Sequence, residues 1–359
     1  MKVDAYIRSA NTILGLYDGK TPFAGWLKEY FRKEKKFGSR DRRMVTQLCY
    51  GYFRLGNLLA DRSREERILF AHEVQTGVAS LPDDLLAVFP LRAHLSPEID
   101  AVAFVRAQLE QPDLFLRTRP GRQAQVTQKL EAAGIGFSEC APDCIALPNG
   151  SKIDEVIAID ADAVVQDRSS QRVLDGLVEI LDPGKSFSLW DCCAASGGKS
   201  ILAADRFPKV QLTASDVRES ILHNLRKRFA RAGITRYRSF VADVGASTFS
   251  FPHTFDVVLC DAPCSGSGTW GRTPEQLTYF TEDRIANYAS LQRRIAVNAL
   301  QQVKKGGYFL YITCSVFAAE NEANVALLQK ESGLSLVDAR YYKGYVQNAD
   351  TLYAALFRL

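Results

Sequence analysis

No stretch of the sequence supplies the roughly 18 consecutive apolar residues that a membrane-spanning helix requires. The amino terminus also lacks the charged-then-apolar order of a secretory leader. A cytoplasmic protein with no membrane partner is expected. Internal repeats and low-complexity segments are absent too, so the 359 residues must fill compact domains, two or three by length. Cysteine is not scarce, at eight residues, but in a chain this long eight do not build the dense disulfide framework of a small secreted protein. Reduced thiols are expected. Cys140 and Cys144, like Cys260 and Cys264, are separated by three residues, yet no second pair or histidine pair occurs at finger-like spacing. No metal is predicted.

The net charge of +4 is small but unevenly spread. From Lys20 to Arg67 there are thirteen Lys or Arg against six Asp or Glu, a local +7, and from Ile68 to Pro112 two Arg against six acids, a local −4. A basic amino-terminal surface suits phosphate-backbone binding. Tyr30, Phe31, Phe37, Tyr50, Tyr52 and Phe53 are interleaved with that charge, and are read as core residues of helices whose charged faces are solvated.

Three textures divide the chain. Residues 1–110 carry helix-period apolar runs such as Met44, Leu48, Tyr52 and Leu55, predicting an all-α domain. Residues 111–165 read as a small α/β connector, with strands at 114–118 and 144–147 around a helix at 122–133. Residues 166–359 alternate strand and helix, which predicts a mostly parallel, doubly wound α/β sheet. Its strands are placed at 186–191, 211–215, 237–241, 255–260 and 308–313, and its helices at about 170–181, 199–206, 217–232, 283–304 and 318–331. The segments 334–337 and 352–357 add two more strands, one antiparallel at the edge.

The first strand of this sheet runs into Asp191-Cys192-Cys193-Ala194-Ala195-Ser196-Gly197-Gly198-Lys199-Ser200, a small-residue turn opening a helix, where backbone N–H groups can approach a ligand. Two nucleotide fingerprints are missing from it. A Walker A loop needs glycine where Cys193 stands, and a dinucleotide fingerprint needs three spaced glycines where only Gly197 and Gly198 occur. Each of the next three strands instead ends at an acid: Asp216, Asp243 and Asp261. Acids on a shared sheet edge can accept hydrogen bonds from a ribose diol, an adenine amino group and a polar substrate. An adenosine cofactor without phosphates fits this edge best.

Two cysteines stand in corresponding places, Cys264 in Asp261-Ala262-Pro263-Cys264-Ser265-Gly266-Ser267-Gly268 and Cys314 in Tyr311-Ile312-Thr313-Cys314-Ser315. If their strands share one parallel sheet, the thiols meet at its carboxyl edge, where open α/β sheets bind ligands. Two sulfurs there suit chemistry that adds a thiolate to a ring and later eliminates it. For Cys49, Cys140, Cys144 and Cys192 the reading is a small buried hydrophobe.

These residues together resemble the RsmB/Fmu/Sun family of S-adenosylmethionine-dependent RNA cytosine-C5 methyltransferases. The cofactor turn of that family is matched by Cys193, Ala194, Ala195, Ser196, Gly197, Gly198 and Lys199, its ribose acid by Asp216 and its adenine-side acid by Asp243. Its Asp-Ala-Pro-Cys-Ser and Thr-Cys-Ser motifs are matched by residues 261–265 and 313–315, and Glu320-Asn321-Glu322 also fits. Val165 to Gln171 is similar to the family's entry into the catalytic domain. Gly38 to Arg43, followed by Leu48-Cys49-Tyr50-Gly51, resembles its NusB-like helical RNA-binding domain. Two departures stand out: Ser196 where the family usually has proline, and Asp350-Thr351-Leu352-Tyr353 where Asp-Gly-Phe-Phe is common.

The resemblance implies a Rossmann-like methyltransferase domain, the cofactor S-adenosyl-L-methionine, and an RNA substrate, small-subunit rRNA above all. It gives Cys314 the role of nucleophile at C6 of cytosine, Asp261 that of holding the pyrimidine, and Cys264 that of release. Lys199 can reach the cofactor carboxylate or a substrate group, or turn to solvent. The six basic residues from Arg226 to Arg238 face either RNA or water, and Arg272, in the loop after Cys264, could contact the substrate strand, its role left open. A monomer is expected. Rival readings are a DNA cytosine methyltransferase using Cys264, against which Cys314 argues, an RNA-binding assembly protein that has lost catalysis, and, more distantly, a nicotinamide oxidoreductase.

Overall fold

The computed structural model describes residues 2–359. They form two compact units, one running to Gln111 and including Thr269–Glu282, the other made of Pro112–Gly268 and Asp283–Leu359.

The first unit is helical: α1 (Lys2–Leu16), α2 (Phe23–Lys33), α3 (Ser39–Arg54), α4 (Arg64–Gln75) and α5 (Ala101–Gln108). Helical spacing explains its core. Ile7, Ala10, Ile13 and Leu14 on α1 meet Val45, Leu48, Cys49 and Phe53 on α3. Among the interleaved aromatics, Phe31 and Phe53 are buried in that core, and Tyr30, Phe37, Tyr50 and Tyr52 pack against it partly exposed. Ser63 and Glu66 form a reciprocal capping box at α4, and Asp100 caps α5. Pro22 gives α2 no side-chain cap. That acceptor comes instead from Glu275, whose carboxylate takes the Phe23 N–H at 3.0 Å.

The second unit opens with β1 (Leu114–Thr118), α6 (Gln123–Ala132), β2 (Ser138–Ala141), β3 (Cys144–Leu147) and β4 (Ala163–Val165), an antiparallel sheet of order β2-β3-β1-β4. β2 is too exposed and β4 too short to leave a period in the sequence. Then come α7 (Asp175–Ile180), β5 (Ser188–Asp191), α8 (Gly198–Arg206), β6 (Gln211–Asp216), α9 (Glu219–Arg231), β7 (Tyr237–Val241) and β8 (Phe255–Asp261). The chain continues with α10 (Gln276–Tyr279) in the helical unit and then α11 (Asp283–Leu300), β9 (Val303–Thr313), α12 (Glu322–Ser332), β10 (Ser335–Lys343) and β11 (Thr351–Arg358).

The large sheet has order β10-β11-β9-β8-β5-β6-β7, with β5 to β9 parallel. It is doubly wound. β11 is antiparallel to β9, but it lies second from the edge, and β10 takes the edge beside it. The edge strand is antiparallel to its neighbour, as expected, and burial gives the reason for the order of the two. β11 is buried along nearly its whole length and needs cover on both sides, whereas β10 is mostly exposed, as an edge strand can be. Cys140 is corrected, being half-buried on β2, whereas Cys49, Cys144 and Cys192 are buried.

Candidate active site

Strand order reverses at β5, with β6 and β7 on one side and β8 and β9 on the other. The carboxyl ends of β5 and β8 therefore flank a topological switch point, the crevice in which open sheets hold ligands.

The turn after β5 is held from behind. Ala194 N–H donates to the Ser215 carbonyl at 2.8 Å, and Ala195 N–H donates to Asp216 Oδ2 at 3.1 Å. Ala195 and Gly197 both have positive φ, +46° and +84°. A Cβ on Gly197 would lie 2.7 Å from the Phe229 ring, so only glycine combines that backbone with that packing. Gly198 is open, with Arg228 alone within 4 Å of a built Cβ, at 3.8 Å. Ser196 accepts hydrogen bonds from Arg228 at its carbonyl, 3.3 Å, and at Oγ, 3.0 Å. The other arms of Arg228 reach Asp160 Oδ1 at 3.0 and 2.8 Å, and Arg231 takes Asp160 Oδ2 at 2.6 Å. Asp160 is fully buried with φ of +70°. Burial opposes its ionisation, but the two arginines outweigh it and hold its carboxyl below the usual range. Two of the six cations between Arg226 and Arg238 are thus structural.

Asp216, buried at the end of β6, also accepts the Arg218 N–H at 2.9 Å. Asp243, two residues past β7, is exposed and accepts the Gly245 N–H at 3.0 Å. Asp191 ends β5 fully buried; one oxygen accepts the Ser200 hydroxyl at 2.6 Å and the other has no partner among the described residues. Burial pushes its carboxyl up to about 7.

The two cysteines meet. Cys264 Sγ and Cys314 Sγ are 3.2 Å apart, both as free thiols and both half-buried. The contact with Cys314 and then burial hold the Cys264 thiol well above its ordinary pKa. Lys199 does not turn to solvent, because Nζ donates to Asp261 Oδ2 at 2.6 Å. Burial works against the Lys199 charge, yet Asp261 outweighs it and raises its pKa. Arg272 falls in the Thr269–Glu282 segment of the helical unit.

A buried polar lattice fixes the two cysteine loops, joining their motif residues through Gln292, to which no sequence motif points. Glu320 accepts the Ser265 N–H at 2.9 Å, the Ser315 hydroxyl at 2.7 Å and the Gln292 amide at 2.7 Å. Gln292 also donates to the Pro263 carbonyl at 3.0 Å, and Tyr311 hydroxyl donates to the Glu320 carbonyl at 2.7 Å. Asn321 bonds the Ser315 carbonyl at 2.8 Å. The available signal was Gln292 itself, a lone polar residue on the buried α11 stripe of Ile285, Ala289, Ala296 and Ala299.

The turn contains one cation, and Asp261 already neutralises it, so a phosphate chain would find little charge there. Strand-end acids and a bare glycine suit an uncharged nucleoside instead, and the residues present fit S-adenosylmethionine. Among the described residues no cluster of three or more His, Cys, Asp or Glu is placed to hold a metal ion, and no helix is long and apolar enough to cross a membrane.

Sheet order, switch point and turn define the class, a Rossmann-like methyltransferase domain. Residues 178–354 match the family described as 16S rRNA methyltransferase RsmB/F. Over those residues, just under half of the chain, the sequence matches this RsmB/Fmu/Sun family. Curated relatives named ribosomal RNA small subunit methyltransferase B include that of Xylella fastidiosa (strain 9a5c), 31% identical over 231 residues, covering 63% of this chain and 54% of the relative. That of Yersinia enterocolitica is 32% identical over 244 residues, covering 65% and 54%. The chain therefore spans about half the length of these relatives. Among solved structures, a methyltransferase homolog protein from Pyrococcus horikoshii has TM-score 0.62 at 22% identity, covering 85% of this chain and 98% of that one. NSun6 from the same organism, solved with SFG, has TM-score 0.63 at 14% identity, covering 77% and 98%. These structures share the fold.

Proposed function

We propose that the protein transfers a methyl group from S-adenosylmethionine to C5 of a cytosine in RNA, with small-subunit rRNA as the substrate class suggested by the names of its relatives. The observation that carries this reading is the 3.2 Å contact of Cys264 with Cys314 beside Asp261 at the switch point. Cytosine C5 is too poor a nucleophile to take a methyl group unaided. The Cys314 thiolate adds to C6, and the C5–C6 π pair is driven onto C5 while Asp261 hydrogen-bonds the pyrimidine and keeps N3 protonated. The turn from Cys193 to Lys199, with Asp216 for the ribose and Asp243 for the adenine, would hold S-adenosylmethionine, which would supply an electrophilic methyl group that C5 takes as the sulfonium leaves as a neutral thioether. Cys264 takes part in removing the C5 proton; the electrons left behind re-form the double bond and expel the Cys314 thiolate. Lys199, paired with Asp261, orients that carboxylate.

The test is incubation of wild type, Cys264→Ala and Cys314→Ala with tritiated S-adenosylmethionine and unmodified rRNA, followed by denaturing gels. Only Cys264→Ala is expected to accumulate a protein–RNA adduct, and Cys314→Ala to give neither adduct nor methylated RNA. Methylation by Cys314→Ala would overturn the nucleophile assignment. Cofactor binding by wild type without methylation of any rRNA would favour an assembly protein.

A further inference from the structure

At the opposite, amino-terminal end of the large sheet lies a second concavity. It is an open cleft of about 1330 Å³, bounded by residues at the starts of β5, β6, β7 and β8. Its lining includes Arg119, Lys209, Arg236, Arg238, Lys304 and His253, and no Asp or Glu. Two of those cations are spoken for: Arg119 pairs with Asp205 at 2.8 Å and Lys304 with Asp256 at 2.9 Å. Lys209, Arg236 and Arg238 are exposed and have no ion pair among the described residues. Val210, Leu212, Ile234 and Phe251 provide low-dielectric walls between them.

We propose that this cleft is a second RNA-binding surface, which grips the phosphate backbone of a segment outside the target nucleotide. Unpaired like charges converging on a concave apolar wall focus a positive potential and select an anion. The size selects among anions. Small-molecule sites usually occupy about 300–1,000 Å³, so a larger, open cleft suits a polymer. The exposed faces of Tyr237 and His253 add rings on which bases can stack. The proposal rests on the RNA substrate proposed for the cysteine site and says where else that RNA is held. β8 separates the cleft from the Cys264 loop and is seven residues long, about 20 Å at the usual rise of a strand. A short target stem-loop held at the cysteines therefore does not reach the cleft, whereas a longer rRNA domain does.

The test uses the full chain carrying Lys209→Ala, Arg236→Ala and Arg238→Ala together. Equilibrium binding to a long rRNA fragment and to a short stem-loop with the target cytosine is measured across a salt series, and cofactor affinity by calorimetry. Three lost phosphate contacts, at about 0.7 each for single strands, lower the slope of log affinity against log salt by about 2 on the long RNA. Slope and affinity on the short RNA and cofactor affinity are expected to stay unchanged, which also shows that the variant is folded. An unchanged slope on long RNA would overturn the proposal and leave Arg236 and Arg238 as guards of the β7 edge. An equal loss on both RNAs would overturn it too, as would a wild type that binds no RNA. The last outcome would also sink the RNA substrate. Tight wild-type binding without methylation would sink the activity alone and leave the cleft standing.

Discussion

At the scale of the residue, the departure at Ser196 is offset by a partner far away in the sequence. Proline at that place restricts the turn by its ring, whereas Ser196 is restricted by Arg228, which is anchored in turn by buried Asp160. A guanidinium can serve both at once because its nitrogens form a planar fork; an ammonium cannot. Arg228→Lys is therefore expected to weaken cofactor binding by roughly tenfold, the effect of losing about one net hydrogen bond to a charged donor. Ser196 is not among the residues of positive φ, which removes one obstacle to the family's usual proline there. Ser196→Pro should recover most of the lost affinity in the Arg228→Lys background. Calorimetric titration of the two variants checks both statements, and equal affinities for wild type and Arg228→Lys would remove the turn's dependence on this bridge.

At the scale of the element, the cysteine loops are set by close approach as much as by hydrogen bonds. Gly268 N–H donates to the Cys314 carbonyl at 2.9 Å, and a Cβ on Gly268 would stand 2.0 Å from the Thr351 carbonyl oxygen at the start of β11. Backbone cannot yield as a flexible side chain can. Gly268→Ala is expected to part the loop after β8 from that after β9, lowering the melting temperature and abolishing methyl transfer while cofactor affinity holds, since the β5 turn is separate. Retained activity would show that the loops tolerate separation. β5, β6, β8 and β9 were legible because each has a short apolar run that leads to an acid or a cysteine, at Asp191, Asp216, Asp261 and Cys314. Lateral order was not legible. Nothing local in Leu352 to Phe357 says that β11 inserts between β9 and β10, since pairing is decided by which strands need cover on both sides. Asp160 and Gln292 escaped for a related reason: a buried polar residue shows its purpose only through partners distant in sequence.

At the scale of the whole molecule, the segment between Gly268 and Asp283 belongs by packing to the helical unit although it lies within the catalytic half of the sequence. It completes that unit's core. Tyr279 sits 5.2 Å from Tyr17 and 6.2 Å from Phe53, centroid to centroid, and donates its hydroxyl to the Tyr17 carbonyl at 3.0 Å. Trp270 lies 5.4 Å from Phe89, and the Gly271 carbonyl accepts from buried Arg54 at 2.9 Å. Contiguous texture, by which a sequence divides into domains, carries no sign of such an excursion. A fragment of residues 1–111 should therefore be missing part of its own interior: α2 loses the acceptor for its first N–H, Arg54 loses a carbonyl, and the aromatic cluster is opened to water. It is expected to keep most of its helical circular dichroism yet melt broadly and bind a hydrophobic dye. Joining residues 269–282 to its carboxyl end through a flexible linker should restore a cooperative transition. Glu275→Ala in the linked fragment should then lower stability by about 1 kcal/mol, the ordinary effect of losing a helix cap. A sharp transition in the unlinked fragment would show that the excursion rests on a finished helical core and does not help to build it.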